Sequence, residues 1–191
     1  MLETLNHIDT EVFQFLNGLQ CDALDWPMWV VSQHWCWAIV LVAAFAAMTL
    51  RKEPRKWWLI LAAGGLCFLL ADQGAGIIKH WVCRPRPCQV LEDYNHFHTE
   101  CGGSFSFVSN HAANAFALAT FLFLRYRKQM KALPIIMFVW AFLTSYSRIY
   151  LGKHYPGDIL CGALFGILVG WFVWWLTKIF EKKFTKCETK K

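Results

Sequence analysis

The chain has 191 residues, of which 57% are hydrophobic, with 11 Trp and 16 Phe; it is too apolar for an ordinary soluble domain of this length and points to one integral membrane domain over residues 1–191. Of its 19 Lys and Arg, 14 lie in three clusters, Arg51 to Lys56, Arg125 to Lys131 and Lys178 to Lys191, which alternate with apolar runs so that all face one side of a bilayer, the cytoplasmic side by the positive-inside rule. Lys79, Arg84, Arg86, Arg148 and Lys153 are left for the opposite, outer end.

Met1 to Asp25 carries apolar residues at helical spacing (Leu5, Ile8, Val12, Phe15, Leu16, Leu19) among acidic positions, without the basic start and long apolar centre of a signal peptide. It reads as an amphipathic helix in the outer interface. Trp26 to Leu50 contains no Asp, Glu, Lys or Arg and is long enough to span. Trp57 to Ile78 is a second span carrying one acid, Asp72, which is either a packing contact or a partner for Lys79 seven residues on. Cys83 to Phe107 is an outer loop. Its Glu92, Asp93, His96, His98 and Glu100 read as loop polarity rather than a metal site.

Ser109 is a natural N-cap for a short third span to Leu124, with Asn110 and His111 in its first turn. Spans from Ala132 to Ser147 and from Pro156 to Thr177 follow, then a basic cytoplasmic tail over 178–191. The expected fold is all-α, a polytopic bundle over 26–177 of about five transmembrane helices plus the N-terminal interfacial helix over 1–25. Five spans with an outer N-terminus keep every basic cluster inside. The eight cysteines form no CxxC pair and no zinc-type spacing. Cys88 and Cys101, in the outer loop, are expected to form a disulfide closing about a dozen residues.

Ser147 to Asp158 reads Ser-Arg-Ile-Tyr-Leu-Gly-Lys-His-Tyr-Pro-Gly-Asp and places Arg148, His154 and Asp158 at a membrane boundary, where charge is costly. Pro156 suits the first position of a helix. Asp158, in the first turn, can then point back at the His154 ring, fixing its tautomer and leaving one nitrogen free. The same residues also read as a helix cap beside an interfacial histidine. Lys79 with Arg86, Ser109 with His111, and Arg148 with His154 and Asp158 are all expected at one membrane face. Three cations and a helix N-terminus there would make a phosphate pocket.

Lys79 to Pro87 fits Lys-x6-Arg-Pro, Ser109 to His111 is similar to Pro-Ser-Gly-His, and Ser147 to Asp158 fits Ser-Arg-x5-His-x3-Asp. In these motifs the chain resembles the type 2 phosphatidic acid phosphatase family, which includes undecaprenyl-pyrophosphate, phosphatidylglycerophosphate and lipid A phosphatases. Val108 stands where the family has proline and Asn110 where it has glycine.

The resemblance implies a nucleophilic His154 oriented by Asp158. It implies that His111 protonates the leaving oxygen and then activates water. Lys79, Arg86, Ser109, Asn110 and Arg148 would hold the phosphate. No metal or other cofactor is implied, because the cations occupy that role. The expected enzyme is a multi-pass plasma (inner) membrane phosphatase with its site facing the periplasm or exterior. Its partners are a lipid phosphate and membrane lipids, with no nucleic acid and no obligate protein partner. Extra positive charge at His80, Arg84 and Lys153 favours a pyrophosphate, hence undecaprenyl pyrophosphate ahead of phosphatidylglycerophosphate, phosphatidic acid or lipid A 1-phosphate. A haloperoxidase and a non-catalytic scaffold or transporter are the remote alternatives.

Overall fold

The computed structural model describes residues 2–33, 35, 39, 42, 43, 46, 57–91, 94, 100–103, 105–130 and 132–188, with no strand among them. Its named helices are α1 (Leu2–Asn17), α2 (Asp22–Ser32), α3 (Trp57–Val82), α4 (Pro87–Val90), α5 (Asn110–Tyr126), α6 (Ala132–Tyr150) and α7 (Pro156–Glu188). The helices α3, α5 and α6 match the second to fourth expected spans to within a few residues, whereas α7 covers the fifth and continues to Glu188, into the stretch expected as a basic tail. Much of the second half of the first apolar run, the basic turn 51–56, and Glu92, Asp93, His96 and His98 lie outside the described residues.

The single interfacial helix expected over Met1 to Asp25 is instead two helices. The chain turns at Gly18 to Cys21, and α2 begins with Asp22 and Asp25 in its first turn, where the helix dipole favours acids. Phe13 and Asn17 of α1 are buried, whereas Leu5, Ile8, Val12, Phe15 and Leu19 are exposed. An apolar stripe turned outward is the arrangement of a helix lying on lipid.

At the centre is α5, with both of its faces buried for most of its length. Its alternating alanines let neighbours approach closely, and α7 does so through Gly162, Gly166 and Gly170. A Cβ at Gly162 would lie 2.7 Å from the Ser109 carbonyl oxygen, and Cβ atoms at Gly166 and Gly170 would strike the carbonyls of Ala113 and Ala117. Such a small-residue seam suits association in lipid, where close packing replaces the hydrophobic effect. On α3 a similar four-residue stripe, Ala63, Cys67, Ala71 and Ala75, is buried.

Outside this core, Leu61, Phe68 and Leu69 of α3, Ile136, Val139 and Phe142 of α6, and Leu160, Leu164 and Leu168 of α7 are exposed. So broad an apolar surface is suited to lipid contact and not to water. Two stretches, Trp57–Val90 and Pro156–Lys182, are long and apolar enough to cross a membrane by themselves. The α5 helix, of 17 residues, needs neither property because protein shields it.

Candidate active site

The site is built around the start of α7. Tyr155 occupies the N-cap position, Pro156 the first turn without a missing donor, and Asp158 the third helical position. Asp158 reaches back in a capping-box manner: its Oδ2 accepts the Tyr155 backbone N–H at 2.9 Å. The same oxygen lies 3.5 Å from Nδ1 of His154. Both side chains are buried. The preceding loop is held by Arg148, whose carbonyl accepts the N–H groups of Lys153 at 2.9 Å and His154 at 3.2 Å. Gly152 makes the turn out of α6 with a φ of 69°, the left-handed cap that glycine adopts without strain.

The segment after α3 brings the cations. Arg86 is nearly buried; its Nε donates to the Gly103 carbonyl at 2.7 Å and its Nη1 to that of Lys153 at 3.2 Å. That same Nη1 lies 3.4 Å from Nε2 of His154, the ring nitrogen turned away from Asp158. Lys79 Nζ lies 3.4 and 3.5 Å from the carbonyls of Phe105 and Ser106. The expected Cys88–Cys101 disulfide is present, with Cα atoms 6.0 Å apart. It ties α4, which Arg86 caps, to the strip of loop that supplies Gly103.

Arg84 is placed differently from the sequence expectation. Its Nη1 is 2.7 Å from Asp9 and 2.9 Å from Asp158, and its guanidinium lies 3.9 Å over the Tyr155 ring. Two carboxylates neutralise it, so it adds no surplus charge for a second phosphate. His80 is exposed, edge-on to Phe105 at 5.9 Å.

The third segment is the start of α5. Ser109 is the N-cap as expected, its hydroxyl accepting from Ala112 N–H at 3.4 Å. Its own N–H donates to the Asp158 carbonyl at 3.1 Å, which brings the ends of α5 and α7 together. His111, half-buried in the first turn of α5, is thereby at the same end of the bundle as His154. Asn110 turns its amide onto Asp72, donating to Oδ1 at 2.8 Å and to the carbonyl at 3.2 Å, and Asn114 donates to the same carboxylate at 3.2 Å. Asp72 therefore clamps the first turns of α5. The partner expected for it, Lys79, contacts the 105–106 carbonyls.

Burial pushes the His154 imidazole well below its usual pKa of 6.5, and the charges of Arg86, Arg148 and Lys79 push the same way. Burial, then Arg148 and Arg86, lowers Lys153 to about 8. A neutral imidazole facing a set of cations, with a carboxylate behind it, has a free lone pair directed where an anion would sit. Sequence reasoning missed Asp9 and Ser32, whose hydroxyl accepts from the Arg148 guanidinium. Asp9 is far in the chain from Arg84, and Ser32 is 116 residues from Arg148, and no local pattern marks them. Among the described residues no group of three or more His, Cys, Asp or Glu is arranged to hold a metal.

Residues 62–182 match the profile of the PAP2 superfamily. The lipid A 4'-phosphatase of Bacteroides thetaiotaomicron is 34% identical over 182 residues, 92% of this chain and 80% of that protein. The undecaprenyl-diphosphatase BcrC of Bacillus subtilis is 26% identical, over 84% of this chain and 79% of its own. The crystal structure of a transmembrane PAP2 type phosphatidylglycerolphosphate phosphatase from Bacillus subtilis superposes with a TM-score of 0.68 at 25% identity, covering 94% of this chain and 87% of that one. A profile that runs from within α3 to within α7, and relatives matched over about four-fifths or more of their own length, lead to one conclusion: the chain belongs to the PAP2 superfamily and is an all-α, membrane-embedded lipid phosphatase.

Proposed function

We propose that this phosphatase removes a phosphate monoester from a lipid A-type glycolipid through a phosphohistidine at His154. The observation that carries the chemistry is the buried imidazole held between Asp158 on one nitrogen and the Arg86 guanidinium near the other. In this reading Nε2 attacks phosphorus, the P–O bond to the lipid breaks, and His111 gives the leaving oxygen its proton. Water then attacks the phosphohistidine, His111 takes a proton from it, and phosphate leaves. Lys79, Arg86 and Arg148, with Ser109 and the amides at the start of α5, including that of Asn110, balance the charge on the equatorial oxygens.

Two findings support a lipid A monophosphate over the pyrophosphate that the sequence favoured. Arg84 is engaged by two carboxylates, and the similarity to a lipid A 4'-phosphatase runs over nearly the whole chain. Undecaprenyl diphosphate is the second reading, on the likeness to BcrC. An outer-facing site in the inner membrane and five crossings with an outer N-terminus belong to the same proposal. They draw support from Arg125, Arg127 and Lys128 at the far end of α5. The test is phosphate release from purified enzyme given lipid A, undecaprenyl diphosphate and phosphatidylglycerophosphate, compared by kcat/KM. Lipid A should rank first; His154→Ala should abolish turnover, and His111→Ala should slow poor leaving groups most. Full activity in His154→Ala would discard the mechanism, and undecaprenyl diphosphate ranking first would replace the substrate.

A further inference from the structure

The α1 helix is linked through Asp9 and Arg84 to Asp158, the carboxylate beside His154. Residues 9, 13 and 17 recur every four positions and so share a helix face. Phe13 is fully buried, edge-on to Tyr155 at 5.5 Å and to Tyr94 at 5.8 Å. The Asn17 amide donates to the carbonyls of Ile149 and Tyr150, each at 2.9 Å. These two residues fasten α1 across the junction of α6 and α7, and Asp9 on the same face is delivered to the start of α7. There its Oδ1 accepts the Gly157 N–H at 2.7 Å, and its Oδ2 is 2.7 Å from Arg84 Nη1. The same Arg84 nitrogen is 2.9 Å from Asp158.

We infer that Asp9 is a positioning residue for the reaction, acting through Arg84 and the first turn of α7 to fix Asp158 against His154. The inference rests on the catalytic reading of His154 and Asp158 given above. One guanidinium nitrogen sits between two carboxylates. If Asp9 is neutralised, Arg84 has Asp158 as its one charged partner among the described residues and draws that carboxylate away from the 3.5 Å approach to Nδ1. Asp9 also supplies, from a distant helix, the acceptor for an N–H that the start of α7 cannot satisfy internally. It thereby fixes the turn from which Asp158 projects. Docking of α1 alone does not call for this charge, because Phe13 and Asn17 already provide it.

Gly157 gives an independent handle. A Cβ there would lie 2.8 Å from the Asp9 carboxylate, so the close approach requires glycine. Elsewhere in a helix alanine is the more stable residue. Gly157→Ala should therefore dislodge Asp9 without removing a charge.

The experiment measures kcat and KM for phosphate release from lipid A, or from undecaprenyl diphosphate should lipid A not turn over, with folded enzyme in detergent. Asp9→Asn and Gly157→Ala should each lower kcat about tenfold with KM little changed, a loss within the range of misaligned acid–base groups. The double variant should be no worse than either single one, because both break the same link. Wild-type kcat in both single variants, multiplicative losses in the double, or a change confined to KM would overturn the inference. His154→Ala in the same assay separates the two layers. If it is inactive while Asp9→Asn keeps full kcat, only the inference falls; if it is active, the catalytic reading falls and takes the inference with it.

Discussion

Asp158 shows how one side chain satisfies two readings that look exclusive in sequence. It caps α7 by accepting the Tyr155 N–H, and the same oxygen faces His154. The pairing was legible because a side chain in the first turn of a helix leans back toward the residues before it, whereas Asp9, Ser32 and Gly103 reach the site through tertiary folding that no local spacing records. Asp72 was read either as a packing contact inside the bundle or as a partner for Lys79 on its own helix; its carboxylate makes the packing contact, crossing to Asn110 and Asn114. At this scale the low pKa of His154 makes a prediction about stability. The folded protein keeps the imidazole neutral, while the unfolded chain binds a proton near pH 6.5. As pH falls below that value the unfolded state is favoured, by up to about 1.4 kcal/mol per pH unit until the folded-state pKa is reached. Thermal unfolding between pH 7 and 5 should show wild type losing stability relative to His154→Gln as pH falls. Parallel curves would show that His154 is not held neutral.

Among elements, the helices carrying polar punctuation were legible and the seam between them was not. Ser109 announces α5 as an N-cap and Pro156 announces α7, since both residue types satisfy or avoid unpaired N–H groups. The break between α1 and α2 was hidden by an apolar stripe that continues through Gly18. The glycines at 162, 166 and 170 passed as ordinary members of an apolar run, because a four-residue spacing of small side chains carries meaning only once α5 is known to face it. Gly166→Ala would place a methyl group on the Ala113 carbonyl, inside the seam that aligns Ser109 with Asp158. It should cost about 1–3 kcal/mol by overpacking and lower the unfolding temperature. Gly65→Ala, whose Cβ meets nothing within 4 Å, should be neutral or slightly stabilising. Equal effects in the two variants would show that α5 and α7 are not in such close contact.

For the whole molecule, hydropathy and charge sufficed to read a membrane bundle with its site at one end, but not to choose the lipid. Chain-facing surface is apolar for any acyl or prenyl substrate, and the argument from surplus charge lost Arg84, which two carboxylates pair within the protein. What charge does predict is orientation. The end with the candidate site carries Arg86 and Arg148, both buried and internally bonded. The far end of α5 carries exposed Arg127 and Lys128, with Arg125 paired to Glu181 at 2.6 Å. Exposed cations are held on the cytoplasmic side, whereas cations bound within a pocket do not determine topology. Cys83 is exposed just past the end of α3, at the end of the bundle that holds the candidate site. On spheroplasts, a membrane-impermeant maleimide should label Cys83 without detergent, whereas the thiol introduced by Lys128→Cys should label only after the membrane is opened. The reverse pattern would turn the site toward the cytoplasm and leave only lipids of the inner leaflet within its reach.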